Sequence, residues 1–364
     1  MKPEHTSEGA FRAVLIGLST RDGAHHSDEA TLDELEALLE TAGGTALGRV
    51  SQTLDAPSAR TFIGTGKARE IRELCRNMGA DIAVVDNELS PSQTKNLEAE
   101  LDLPVIDRSL LIINIFSGRA RSGEGRVQVE LARLKYILPR LSGKGVQLSR
   151  QGGGGAGGGG ARRGAGETKL ETDRRHIRAR IERLERELAE VRMTRKVQRE
   201  RRIKNAVPSV ALIGYTNAGK STLLNTLCRD SIQAENRLFD TLDTTTRRWR
   251  MSDGREVLLT DTVGFIRKLP HHLIEAFKAT LEELGFADVL LHVIDASHPE
   301  WPSQAKTVEE LVNQLGVSGT PCVRALNKCD ALAPSALPDI GGLAVSAKTG
   351  AGLALLEKAV AAYL

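Results

Sequence analysis

The stretch Gly214–Ser221 reads GYTNAGKS and fits G-x-x-x-x-G-K-[ST], a spacing suited to cradling phosphate. Backbone N–H groups of Gly214, Tyr215, Thr216, Asn217, Ala218 and Gly219 can curl around an anion, and the following helix adds its positive end. Lys220 can reach the β- and γ-phosphates of a nucleotide. The Ser221 hydroxyl can hold Mg²⁺, and Thr222 opens the helix beside it. The flanks agree. Pro208–Gly214 (PSVALIG) is a short β-branched run that predicts a buried strand, and STLLNTL (Ser221–Leu227) predicts a helix.

Partner motifs follow in order. REVLLTDTVGF (Arg255–Phe265) is a strand ending in Asp261-x-x-Gly264. Asp261 would bind Mg²⁺ through water, and the Gly264 N–H would sense a γ-phosphate. LLHVIDAS is a further buried strand. CVRALNKCD (Cys322–Asp330) ends in Asn327-Lys328-x-Asp330, whose last carboxylate can accept two hydrogen bonds from guanine N1–H and N2. Adenine has no such donor pair, so the motif selects GTP. Ser346-Ala347-Lys348 supplies the loop under the base. Four motifs in this order, each at a strand end, leave coincidence negligible.

The rest of the chain falls into two parts. Residues 11–118 alternate strands (FRAVLIGL, TALGRVSQTL, DIAVVD, LPVID) with helices (LDELEALLETAG, SPSQTKNLEAEL, SLLIINIF), which predicts a parallel sheet. Gly64-Thr-Gly66-Lys67 lacks the full loop pattern and reads as a helix start. Residues 119–204 carry apolar stripes at Val127, Leu131, Leu134, Leu138 and Leu141, and at Leu170, Ile177, Ile181, Leu184, Leu188 and Val191. Two such stripes zip into an antiparallel helical hairpin, with Pro139 ending the first helix. The connection Ser142–Gly166 holds twelve glycines, with Lys144, Arg150, Arg162 and Arg163 interspersed. A basic tip so poor in side chains suits close approach to an RNA backbone. The expected organisation is an N-terminal α/β domain (1–118), a basic hairpin (119–204, tip 142–166) and a C-terminal P-loop domain (205–364) that resembles the Ras-like GTPases.

Charge is segregated. Residues 119–204 hold 24 Lys and Arg against 10 Asp and Glu, whereas the remainder has 26 against 37, so a net of +3 conceals a strongly basic middle. That pattern predicts a polyanionic partner for one part of the chain. No apolar run approaches the roughly 20 residues of a membrane span. The polar N-terminus (MKPEHTSEGA) has no secretory pattern, and Cys75, Cys228, Cys322 and Cys329 form no C-x-x-C pair. These features predict a cytoplasmic protein with reduced thiols, whose only membrane association would be peripheral.

Longer motifs, FIGTGKARE (62–70), VVDNELSPSQTKNLE (84–98), VQVELARLKYILPRL (127–141), GETKLETDRR (166–175) and DTVGFIRKLPHHLIEAFKATLEE (261–283), resemble the HflX family of ribosome-associated GTPases. The resemblance implies GTP and GDP binding, docking on the large ribosomal subunit and its rRNA rather than DNA, and splitting of stalled or idle ribosomes under stress by a monomer. It implies a Mg²⁺-binding threonine in the first switch, Thr246 or its neighbour Thr245. Asn217 becomes a candidate K⁺ ligand that joins Lys220 and Gly264 in catalysis. Departures are modest: Ala165, Thr244 and Asn114 replace residues common in the family, and the glycine tract is longer. The sequence stops soon after the last expected helix, so the extra C-terminal domain of some members is not expected. Phe265 stands where many GTPases place a water-orienting Gln, so hydrolysis should await a partner. Two rival functions remain: an RNA-remodelling ATPase resting on the GTGK stretch, and a non-catalytic, GTP-dependent interaction switch.

Overall fold

The computed structural model describes residues 11–23, 25–141, 161–204, 207–228, 238–239, 245–270, 273–277, 282–333, 335, 337–338 and 340–364. The chain divides into two compact units, residues 1–115 with 130–185, and residues 116–129 with 186–364.

The first unit is built on a parallel four-stranded sheet of order β2-β1-β3-β4. Its strands are β1 (Phe11–Thr20), β2 (Gly44–Leu54), β3 (Ile82–Val85) and β4 (Val105–Asp107). Helices α1 (Glu29–Thr41), α2 (Thr65–Met78) and α3 (Pro91–Leu101) connect them. Local signals set the helix starts. The Asp28 carboxylate accepts the Thr31 N–H at 2.9 Å, and Ser90 and Gln93 form a capping box with Pro91 at the first position. Gly64 begins α2 as expected, and Lys67 pairs with Glu70. Val14, Ile16 and Leu18 meet Ile71, Cys75, Val85 and Leu97 in one buried apolar core. At the carboxyl ends of these strands lies a buried polar cluster. The Arg108 guanidinium pairs with Glu34 and with Asp86, the latter at 2.8 Å, and Ser27 donates to Asp86.

Helix α4 (Arg108–Arg119) is followed by α5 (Gly123–Arg140), and the helix α6 spans Ala161–Lys204. On α5 the buried face runs through Val129, Ala132 and Tyr136 with Leu131 beside it, while Val127, Leu134 and Leu138 are half-buried. The heptad spacing found the helix but put the phase wrong. Tyr136 hydrogen-bonds the buried Asp107, and Arg140 stacks 3.5 Å over its ring while donating to Leu89 O and Asp107. Those polar contacts turn the helix. On α6 the expected residues Ile181, Leu184 and Leu188 are buried. Arg180 and Glu185 pair with Glu130 and Lys135 of α5. Because α6 begins at Ala161, the backbone of Arg162 and Arg163 is helical, which corrects their placement in the connection. Local helix propensity outweighs the glycines at 164 and 166 there. Lys144 and Arg150 lie outside the described residues.

The second unit holds a six-stranded sheet of order β10-β9-β8-β5-β7-β6, parallel except for β6. Its strands are β5 (Ser209–Gly214), β6 (Thr245–Arg250), β7 (Glu256–Asp261), β8 (Val289–Asp295), β9 (Cys322–Asn327) and β10 (Leu343–Ala344). Helices α7 (Lys220–Cys228), α8 (Trp301–Gln314) and α9 (Leu353–Ala361) complete it. Register then does the positioning. Leu212 aligns with Asp261, Gly214 with Val293, and Asp295 with Asn327, so every motif sits at the carboxyl edge of one sheet. That edge is where ligands bind in open α/β sheets.

Candidate nucleotide site

The loop Gly214–Gly219 leaves β5 and turns into α7. Gly219 has φ +92°, and a Cβ there would lie 2.3 Å from Asn327 Nδ2. Only glycine fits so close to a neighbouring side chain in this left-handed backbone. Asn217 also has positive φ (62°) and is exposed at the loop crown. Lys220 is buried, and its ammonium donates to Gly214 O (3.1 Å) and Tyr215 O (2.9 Å). Burial pushes its pKa down to about 8, with Asp261 pulling the other way. The ammonium is thus held at the loop by backbone carbonyls.

Ser221 donates to Asp261 Oδ2 at 2.7 Å, which brings a hydroxyl and a buried carboxylate together at the start of α7. Hard oxygen donors of this kind suit Mg²⁺, which takes few protein ligands and keeps its waters. Ser221 and Asp261 therefore fit the metal. Thr246 is not brought to them. Its hydroxyl lies 3.0 Å from that of Thr260, its partner across β6 and β7. Strand alternation instead puts Thr245, paired with Asp261, on the face of that carboxylate.

Gly264 is pressed onto the loop. A Cβ there would lie 2.8 Å from Thr216 Cα and 3.0 Å from Lys220 Nζ. The next residues are fastened to the same loop. Thr216 N–H donates to Phe265 O (2.8 Å), Phe265 N–H to Gly214 O (3.2 Å), and Arg267 N–H to the Tyr215 hydroxyl (2.7 Å). Arg267 in turn pairs with Glu300 at 2.9 Å. Phe265, the residue in place of Gln, is 2% exposed and cannot orient water.

On the base side, Asn327 is a brace. Its amide donates to Ala218 O (2.8 Å) and its carbonyl accepts the Ala347 N–H (2.9 Å), joining the phosphate loop to the base loop. Lys328, left-handed at φ 62°, pairs with Asp295 at 2.7 Å. Asp330 is exposed, and a hydrogen bond from the buried Ser346 holds its carboxyl below the usual range. Ser346 also accepts the Thr349 N–H, and Lys348 stays exposed beside it. Thr222 lies partly buried on the first turn of α7.

Sequence reasoning missed the brace role of Asn327, the Asp295 anchor and the Tyr215 hydroxyl. It also missed Phe239, whose backbone N–H donates to Thr216 Oγ1 at 2.9 Å from a left-handed φ of 57°. A buried aromatic in that conformation is the one signal that could have flagged strain, and dihedrals are invisible in sequence.

Three family profiles match consecutive parts of the chain. They are described as GTP-binding GTPase N-terminal (residues 29–117), GTP-binding GTPase Middle Region (119–202) and 50S ribosome-binding GTPase (209–328). GTPase HflX of Caldanaerobacter subterraneus subsp. tengcongensis is 48% identical over 98% of this chain and 81% of its own length. The chain belongs to the HflX family of GTPases. GTPase HflX of Escherichia coli K12 is 43% identical over 88% of this chain and 74% of its own. Among solved structures, a crystal structure of SsGBP in complex with GDP covers 97% of this chain and 98% of its own, with TM-score 0.53 and 25% identity. As an HflX GTPase the chain binds GTP and GDP and hydrolyses GTP, with the Mg²⁺ dependence usual for this domain. No described helix is long and apolar enough to cross a membrane.

Proposed function

We propose that this chain is a GTP-controlled factor that docks on the large ribosomal subunit and its rRNA and splits stalled or idle ribosomes under stress, acting as a monomer in the cytoplasm. The observation that carries the reading is Phe265, buried and zipped by its backbone to Gly214 and Thr216. The group after Gly264 cannot position the attacking water, so a docked partner must complete the reaction. The basic middle segment supports a polyanion as that partner.

In this reading, the loop 214–222 binds the phosphates and Asp330 reads guanine. Ser221, Asp261 and Thr245 would hold Mg²⁺, which when bound would supply positive charge to offset that of the phosphates. Lys220 supplies a positive charge at the γ-phosphate. Gly264 presents its N–H to the same group, and Asn217, exposed on the loop crown, is the proposed K⁺ ligand. Lys144, Arg150, Arg162 and Arg163 contact rRNA phosphates. The test is the GTPase rate with and without purified large subunits. Strong stimulation that weakens with salt is expected, and a rate indifferent to the subunit overturns the reading.

A further inference from the structure

Phe239 makes a contact that the nucleotide site alone does not require. Its ring meets Phe116 edge-on, with centroids 4.6 Å apart and planes at 74°. Phe116 also meets Phe277, at 5.2 Å and 68°. All three rings are buried. Their origins differ. Phe239 lies between α7 and β6, where GTPases carry the first switch. Phe277 lies on the helical stretch 273–277, downstream of Gly264. Phe116 comes from α4, far upstream of the phosphate loop.

Each partner ring is tied to the nucleotide site. The Phe239 N–H is bonded to the phosphate-loop Thr216, and its left-handed backbone persists only while that bond and the ring packing hold it. Phe277 follows buried Ile266, Leu273 and Ala276 along the segment that Gly264–Arg267 fastens to the loop. Aromatic edge-to-face pairs have directional preferences, so a shift of either ring is felt by the one between them.

We propose that Phe116 is a positioning residue for GTP hydrolysis: one ring, supplied from α4, on which both nucleotide-sensing segments pack at once. The inference rests on the GTPase activity of the family and not on ribosome binding, so it is tested without ribosomes. Losing the ring frees Phe239 and Phe277 together, which loosens the Phe239 hold on Thr216 and the packing of 273–277 behind the segment that begins at Gly264.

The experiment uses the full chain and measures basal kcat, KM and the affinity for a fluorescent GDP. Phe116→Ala should lower kcat about fivefold or more while GDP affinity stays within about twofold, and Phe116→Tyr should restore kcat. Phe116→Ala combined with Phe239→Ala should be no slower than Phe116→Ala alone, because the ring contact that Phe239→Ala removes is already lost in Phe116→Ala. Leu111→Ala is the control. Leu111 is buried on the same helix, turned about 140° from Phe116. If Phe116→Ala is insoluble, Phe116→Leu reads the same quantities with less loss of volume. Unchanged kcat, a parallel loss of kcat and GDP affinity, multiplicative effects in the double variant, or an equal loss in Leu111→Ala would each overturn the proposal.

Discussion

Replacing Asn327 by Ala removes both halves of the brace between the phosphate loop and the base loop. The Ala218 carbonyl and the Ala347 N–H, now bonded at 2.8 and 2.9 Å, lose their partner. Asn327 is 2% exposed, and Ala218 and Ala347 are buried, so water cannot easily substitute. Each orphaned buried group costs about 1–3 kcal/mol. Together the change should cost roughly 2–6 kcal/mol, divided between fold stability and nucleotide affinity. If half of it falls on binding, GDP affinity drops by about one to two orders of magnitude, since each 1.4 kcal/mol is roughly tenfold. The Asp330 carboxylate, proposed above to read guanine, is untouched, so the preference for GDP over ADP should persist. Asn327→Asp should be no better than Ala, because its second oxygen would face the Ala218 carbonyl as acceptor against acceptor. Fluorescent-nucleotide titration and thermal unfolding measure the two shares. An Ala variant that melts normally and binds GDP as tightly as the parent refutes the brace.

Lys220 carries a pH signature. Its folded pKa, near 8, lies below its unfolded value, so the unfolded chain holds more protons between about pH 8 and 10.5. Stability of the nucleotide-free protein should therefore rise with pH across that window. Phosphate binding favours the charged ammonium, so GDP binding at pH 9 should take up a proton, visible by calorimetry as an enthalpy that changes with the buffer; no buffer dependence counts against it. Arg140→Ala leaves the buried Asp107 without its cation and should cost about 3 kcal/mol at neutral pH. Burial already raises Asp107 above its unfolded value, so protonation favours the fold and the deficit should shrink as pH falls; a deficit in melting temperature that is flat between pH 7 and 5 contradicts this. Phe265→Gln should not create a fast intrinsic GTPase. It buries an amide at a site fastened by its backbone, so a stability loss of about 1–3 kcal/mol with no gain in kcat is expected.

Much of the nucleotide site is local in sequence. The loop 214–221 declares its chemistry because backbone amides, one lysine and one hydroxyl must follow each other at fixed spacing. The strands feeding Asp261 and Asn327 declare themselves by apolar runs that stop at a polar residue. The heptad stripe on α5 was harder. Spacing revealed the helix, yet the buried phase was set by Tyr136 and Arg140 reaching Asp107, contacts made across the chain. Thr246 was similarly misplaced relative to Ser221, because an antiparallel register, invisible in one strand, pairs it with Thr260.

From its sequence alone, then, this protein is a GTPase with a parallel N-terminal α/β domain and a basic middle, since each of those properties lives in short-range spacing and composition. Tertiary structure alone decided how the parts of the site hold one another. Asn327 joins two loops, Tyr215 and Phe265 fasten the segment after Gly264, and Phe116 gathers Phe239 and Phe277. Those pairings join residues far apart in the chain, and sheet register and side-chain packing, not local propensity, choose which of them meet.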